Sequence, residues 1–334
     1  MSEGGEKMQA VESTHAHKGR TQRFFSLSGG WLPLAGLILV TAVFGITSKG
    51  LLFSAYNLRS LITQTTPILI MSCGAMFIYS LGNMDVSMGT EVGVCGLCSV
   101  LVINATGSLP LAIAASILMA MLFSTVNSVL SGLLRIPPIL ASVCTMMIGR
   151  GALTIITTRA GGSGIRATQN LAFLKAMPTK IAAMLLVALV LGYLFRFTAL
   201  GKSARSVGAN PACAVENGIL PFRTQMLCYL VLGVTVGIAA AFIWANTKTI
   251  TRASGMGYEM DVMIALILGG MSLNGGMRSR FSSALIGSFT YIILQNGLLL
   301  SSFLQYNQVD MAKAIIFIVM IIITCREKGN LLPK

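Results

Sequence analysis

The sequence predicts an all-α membrane protein, a polytopic helical bundle of about ten transmembrane helices. Three observations carry this. Hydrophobic residues make up 54% of the 334-residue chain and charged residues only 10%, with a mean hydropathy of +0.79. A soluble domain carries about a quarter charged residues, so this chain cannot coat a water-facing surface of its size. Runs of about 20 apolar residues, the length that spans a bilayer, recur along it. Stripes of small residues (Gly89 and Gly93; Gly233, Gly237 and Ala241) mark packed helix faces, because small side chains let backbones approach closely in lipid.

Taken in order, the first span, 31–48, starts at Trp31 after a hydrophilic tail. No cleavable signal peptide is evident, and the run is long enough to stay as an anchor. Further spans fall at 60–82, 85–104, 109–134, 138–158, 180–197, 225–245, 261–276, 281–302 and 309–325. Gly, Asn and acidic residues weaken the third and eighth. Either can be broken or re-entrant where protein or a wet cavity surrounds the backbone, so nine or eleven spans also fit. The expected organisation is a polar tail (1–28), one integrated transmembrane domain (29–326) with a polar loop at 198–224, and a short tail (327–334). No soluble catalytic domain and no short-period repeat is visible. With the N-terminus inside, fourteen Lys and Arg fall on the cytoplasmic side and nine outside, with Arg150 inside a span. That bias places both termini and the 198–224 loop in the cytoplasm.

Several classes are excluded. The net charge of +14 is scattered through loops, with no basic stripe and interleaved aromatics, so nucleic acid is not a partner. His15 and His17 lie in the polar tail without a Cys or carboxylate cluster, a poor metal site. Cys95 and Cys98 form a CxxC, but inside a membrane segment, where buried cysteine packs as a small hydrophobe. No His/Asp/Glu cluster points to catalysis. Gly201-Lys202-Ser203 superficially matches a phosphate loop, yet Arg196 stands where the earlier glycine belongs and no strand precedes it. The chain itself is expected to bind no ATP and no cofactor.

The polar insert 198–224 is the most informative stretch. It holds a very short helix whose ends are marked: Asn210 as N-cap, Pro211 at the first helical position, Gly218 as the stop. So short a helix is unstable alone in water, so it needs a partner surface and reads as a docking element. Within the spans, polar groups are expensive and tend to face a cavity or a partner. Asp85, Glu91 and Arg150 stand out, with the neutral Asn83, Asn127, Gln295 and Asn296. Glu91 and Arg150 lower each other's cost if they face one another; separate polar contacts or a direct substrate role are the alternatives. Helix–helix hydrogen bonds compete with solute recognition as the role of each neutral residue. Asp261 can complement the N-terminus of its span, and the paired glycines Gly269-Gly270 and Gly275-Gly276 loosen or hinge its end.

These blocks resemble the ABC-importer permeases of the ribose and simple-sugar type. The stretch Thr198 to Ile219, with Gly208, Asn210, Pro211, Ala214, Glu216 and Gly218, is similar to that family's cytoplasmic loop. Gly257-Tyr258-Glu259-Met260-Asp261 with Gly269, Gly270, Gly275 and Gly276 resembles its most recognisable block. Asp85-Val-Ser-Met-Gly89, Arg135-Ile-Pro-Pro138 and Arg150-Gly151 follow the family order, and the resemblance covers about 55–325. Asn83, Glu91, Ser124, Ser128, Lys202, Cys213 and Met271 depart from its usual residues. The resemblance implies an inner-membrane permease subunit that pairs with a second copy or a sister permease. It also implies a cytoplasmic ATPase that binds the ATP, an extracytoplasmic sugar-binding protein, and a coupling helix over 202–221 that fits a cleft on the ATPase. A simple sugar, pentose or hexose, is the implied cargo, moved by alternating access. A branched-chain amino-acid permease, an ion-coupled secondary transporter using Asp85 or Glu91, and a membrane-embedded enzyme are the rival readings.

Overall fold

The computed structural model describes residues 31–300 apart from 163, 170 and 273, with a few positions between 308 and 318. The tails, His15, His17, Cys325 and most of the expected span 309–325 lie outside the described residues. In chain order the helices are α1 (Leu32–Thr47), α2 (Ala55–Ser80), α3 (Met88–Thr106), α4 (Leu109–Gly132), α5 (Pro138–Arg159), α6 (Ala172–Lys175) and α7 (Met177–Phe197). They continue as α8 (Ala199–Ala209), α9 (Pro211–Glu216), α10 (Pro221–Thr247), α11 (Tyr258–Leu268) and α12 (Ser282–Leu300). Strands β1 (Ile165–Arg166) and β2 (Thr249–Ile250) pair antiparallel into a small ribbon.

Seven of the described helices, α2, α3, α4, α5, α7, α10 and α12, are long and apolar enough to cross a membrane. The chain is therefore a helical membrane protein. The expected count of about ten is not reached among the described residues. α1 is apolar but has 16 residues. The weak third span is a full helix that starts only at Met88, after an irregular approach over 81–87. The weak eighth is a half-length element: α11 has 11 residues, about 16 Å at 1.5 Å per residue, against a hydrocarbon core of about 30 Å. It ends where Gly269 and Gly270 were expected to loosen it.

The core sits on α2 and α10, which carry four of the five largest fully buried side chains among the described residues: Phe77 and Tyr79 on α2, Tyr229 and Trp244 on α10. α4 and α3 close one side of α10, and α12 and α7 flank α2. α4, α5 and α7 turn most of their apolar surface outward, with Leu118, Leu122, Leu186 and Leu189 exposed. In lipid such a face carries no hydrophobic penalty. The two small-residue stripes behave differently. Gly233 and Gly237 of α10 rest on the α4 backbone at Met121 and Ile117, a helix–helix contact as expected. Gly89 and Gly93 of α3 instead meet the loop carbonyls of Gly255 and Ser254, with the Glu259 carboxylate of α11 and the Leu153 side chain of α5 beside them, and no helical backbone.

Candidate functional site

The 198–224 insert is a pair of helices, which corrects the expectation of one isolated stub and of a continuous coupling helix over 202–221. α8 precedes the stub and buries Gly201, Ala204 and Val207 along one face. Lys202 is exposed, so Gly201-Lys202-Ser203 lies within a helix and forms no phosphate loop. Arg205 stacks over Phe195 at 5.2 Å and its Nε donates to the Gly201 carbonyl at 3.1 Å. The chain then breaks at Asn210, whose Oδ1 accepts from the Ala212 and Cys213 backbone N–H groups at 3.0 and 3.2 Å. That is the capping geometry expected of asparagine before a proline. Gly218 adopts φ +74°, a left-handed conformation that glycine tolerates. Gly218 N–H bonds the Val215 carbonyl and Ile219 N–H bonds that of Ala214, at 2.9 and 3.0 Å, which together close a Schellman motif. α9 is exposed along its length except at Ala214, and Val215 and Leu220 stand out at 55% and 63% exposure.

α8 is fixed to the bundle at a backbone junction. A Cβ on Gly208 would lie 2.0 Å from the Ser80 carbonyl at the end of α2. The same carbonyl accepts the Gly276 N–H at 2.9 Å. Gly275 packs against Tyr79, Ser80 and Gly82, and Gly82 approaches the Asn274 carbonyl. Three segments read separately in the sequence thus meet: Gly208 of the docking insert, Gly275-Gly276 of the glycine block, and the approach to α3 that contains Asn83. Asn83 itself is half-buried, with its N–H on the Ile78 carbonyl at 3.3 Å.

That approach leads directly into a buried polar cluster. Asp85 Oδ1 accepts from the Ser87 N–H at 2.7 Å and the Ser87 hydroxyl at 2.6 Å, and Oδ2 accepts from Asn127 Nδ2 at 3.0 Å. Asn127 Oδ1 accepts from the Thr145 hydroxyl at 2.6 Å, tying α4 to α5. Glu91 lies beside Ser87 and Ser124, 3.1 and 3.5 Å from their hydroxyls. Asp85 and Glu91 flank the N-terminus of α3, where the helix dipole favours negative charge. Arg150 does not face Glu91: its Nη1 donates to the Ser254 carbonyl at 3.1 Å, and among the described residues no ion pair joins the two. The guanidinium is drawn to the loop that covers Gly89 and Gly93, so the two residues make separate polar contacts.

The block from Gly257 to Gly276 divides between these places. Glu259 Oε1 accepts from the Gly257 N–H at 3.3 Å, and its other oxygen lies against Gly89. Asp261 accepts from the Tyr291 hydroxyl. Asn296 exchanges amide hydrogen bonds with Gln64, donating at 3.1 Å and accepting at 3.4 Å. Sequence reasoning missed Gln64, Ser87 and Thr145, which complete these networks. The signal available was a polar residue inside an apolar run, the same one that picked out Asn127 and Asn296. Among the described residues no group of three or more His, Cys, Asp or Glu could hold a metal ion, and Cys95 and Cys98 are free thiols on α3.

The chain is thus a helical membrane bundle whose capped, exposed helix α9 joins the core through α8. The family model described as branched-chain amino acid transport system / permease component matches residues 57–324, and the chain belongs to that family. Among its relatives is the ribose import permease protein of Escherichia coli (strain K12), 25% identical over 319 residues, which are 92% of this chain and 98% of the relative. The autoinducer 2 import system permease protein of Enterobacter sp. (strain 638) is 29% identical over 266 residues, 77% of this chain and 75% of the relative. The galactofuranose transporter permease protein of Escherichia coli (strain K12) is 27% identical over 270 residues, 79% of this chain and 78% of the relative. No solved structure matches.

Proposed function

We propose that the chain is the membrane-spanning permease subunit of an ATP-driven importer, and that it translocates a simple sugar, a pentose or hexose of the ribose kind. The single observation that carries this is the α8–α9 pair. Its outer helix is capped at both ends and offers exposed apolar side chains, while its inner helix is fixed through Gly208 to the end of α2. Such an element suits the transfer of motion from an outside motor into the bundle. In this reading a cytoplasmic ATPase binds the ATP and grips α9, and an extracytoplasmic binding protein delivers the sugar. A second permease copy or a sister permease completes the pathway. Both termini and the 198–224 insert face the cytoplasm.

The sugar reading is supported by the relatives, whose names specify ribose, autoinducer 2 and galactofuranose import. A zwitterionic amino acid would call for charged or helix-end partners around one site, and Arg150 and Glu91 bond in different places. The test is uptake into vesicles containing the permease, its ATPase and its binding protein. Labelled ribose, xylose, arabinose, galactose, glucose and leucine are offered in turn. The proposal expects one or more sugars to accumulate, only with internal or external ATP supplied to the motor and only with the binding protein present. Accumulation of leucine alone, or sugar uptake that follows an ion gradient without ATP, would refute it.

A further inference from the structure

A cavity of about 210 Å³ lies between α2, α10, α11 and α12, at the end of the bundle that carries the β-ribbon. Its volume equals roughly seven waters at about 30 Å³ each, room for one sugar ring and not for two. For a chain this apolar its wall is unusually polar. Thr63 and Gln64 come from α2, Asn246 from α10, Tyr258 and Asp261 from α11, and Gln295 from α12. Polar groups between apolar spans are expensive unless they face a partner or a passage.

Two further features show that the wall is built. Lys180 of α7 donates to the Thr63 hydroxyl at 3.0 Å and to Asn246 Oδ1 at 3.2 Å, fixing two wall residues from behind. Tyr291 holds Asp261, and Asn296 holds Gln64 by the reciprocal amide pair. Pro67 of α2 also lines the cavity. It has no N–H, so it removes the helical hydrogen bond that the Thr63 carbonyl would accept. The wall thus offers amides, which donate and accept, hydroxyls, and the acceptor oxygens of a carboxylate. The Lys180 ammonium behind it is already engaged by Thr63 and Asn246.

We propose that this cavity is a binding station for a single neutral monosaccharide, in which Gln64, Asn246, Asp261 and Gln295 hydrogen-bond the sugar hydroxyls. The assignment rests on the sugar-import reading and goes beyond it by placing a cargo site within one permease chain. Alternating donors and acceptors match vicinal hydroxyls, each of which both gives and takes a hydrogen bond. An anionic cargo is disfavoured by the Asp261 carboxylate.

The test uses the assembled importer in membranes. Cys98, Cys144 and Cys213, the thiols that are not buried among the described residues, and Cys325 are replaced by serine. Single reporters Gln295→Cys or Ile243→Cys, both on the cavity wall, are then introduced. Each is labelled with a small hydrophilic methanethiosulfonate, with and without the sugar that the wild-type importer accumulates from the panel above. At ten times the half-saturating concentration, occupancy should slow labelling of either reporter about tenfold. Leu189→Cys, on the outward face of α7, should be unaffected by sugar. If a sugar is imported but both cavity reporters label at the same rate with and without it, the cavity is not a cargo site and the import reading stands. If no sugar of the panel is imported, the reading falls and the cavity assignment falls with it. Ile243→Cys keeps the test decisive should Gln295→Cys fail to insert.

Discussion

Asn127 shows how one amide can hold three segments together. It donates to Asp85 and to Ser87 on the approach to α3, and accepts from Thr145 on α5. Removing it strands the buried Asp85 Oδ2, at about 1–3 kcal/mol for a group left without a partner, while the Ser87 and Thr145 hydroxyls keep other partners. Asn127→Ala should therefore lower the thermal midpoint of the purified protein in detergent by several degrees, whereas Asn217→Ala, on the exposed end of α9, should leave it nearly unchanged. Equal, small shifts in both would mean the cluster contributes no stability. The same scale decides the fate of Glu91 and Arg150. Because each has its own partner, Glu91→Gln and Arg150→Gln should be additive in a double-mutant cycle, within about 0.5 kcal/mol. Partial rescue in the double variant would restore the ion pair that the geometry denies. The sequence made both residues conspicuous by placing charge in an apolar run. It could not supply their partners, since a serine hydroxyl and a loop carbonyl leave no mark in a pattern of charges.

Helix boundaries were legible wherever the chain carries its own punctuation. Asn210, Pro211 and Gly218 define α9 as expected, because capping depends on neighbours in sequence. α8 was not legible: its buried face of Gly201, Ala204 and Val207 is too small to register as an apolar stripe. The β-ribbon was missed for a related reason, since two-residue strands pair residues about 84 positions apart. Two predictions belong here. Asn210→Ala removes a cap worth about 0.5–2 kcal/mol from a helix of six residues, too short to persist alone. ATP-driven uptake should fall several-fold while the amount of inserted protein is unchanged; full uptake would mean that α9 need not be ordered. Gly208→Ala sets two effects against each other. Alanine gains about 1 kcal/mol in helix propensity over glycine. A Cβ 2.0 Å from the Ser80 carbonyl cannot be relieved without shifting the backbone of α8 or α2, and that effect wins. Gly208→Ala should insert normally and transport poorly, whereas Gly36→Ala on α1, where a Cβ meets nothing within 4 Å, should be neutral in uptake.

At the scale of the whole molecule, composition alone defined a membrane bundle, and seven of the expected spans coincide with long apolar helices. The half-length α11 was suspected from Gly, Asn and acidic residues but not resolved, because hydropathy measures length along the chain and not depth in the bilayer. What no linear pattern revealed is the convergence of Gly208, Ser80 and Gly275-Gly276 at one end of α2, with the polar cluster one short loop away. In the proposed reading, a displacement of α9 would be delivered through that junction to the helix at the centre of the core and to the α11–α12 connection together. The central claim is that this chain works only when driven there by a separate motor. The most direct measurement is solute flux into vesicles containing the purified chain, with the binding protein supplied throughout, with and without its ATPase. The account predicts no accumulation without the ATPase, accumulation with it, and loss of that accumulation in Gly208→Trp with ATPase binding retained. Uphill transport by the chain alone, or full activity of Gly208→Trp, would contradict it.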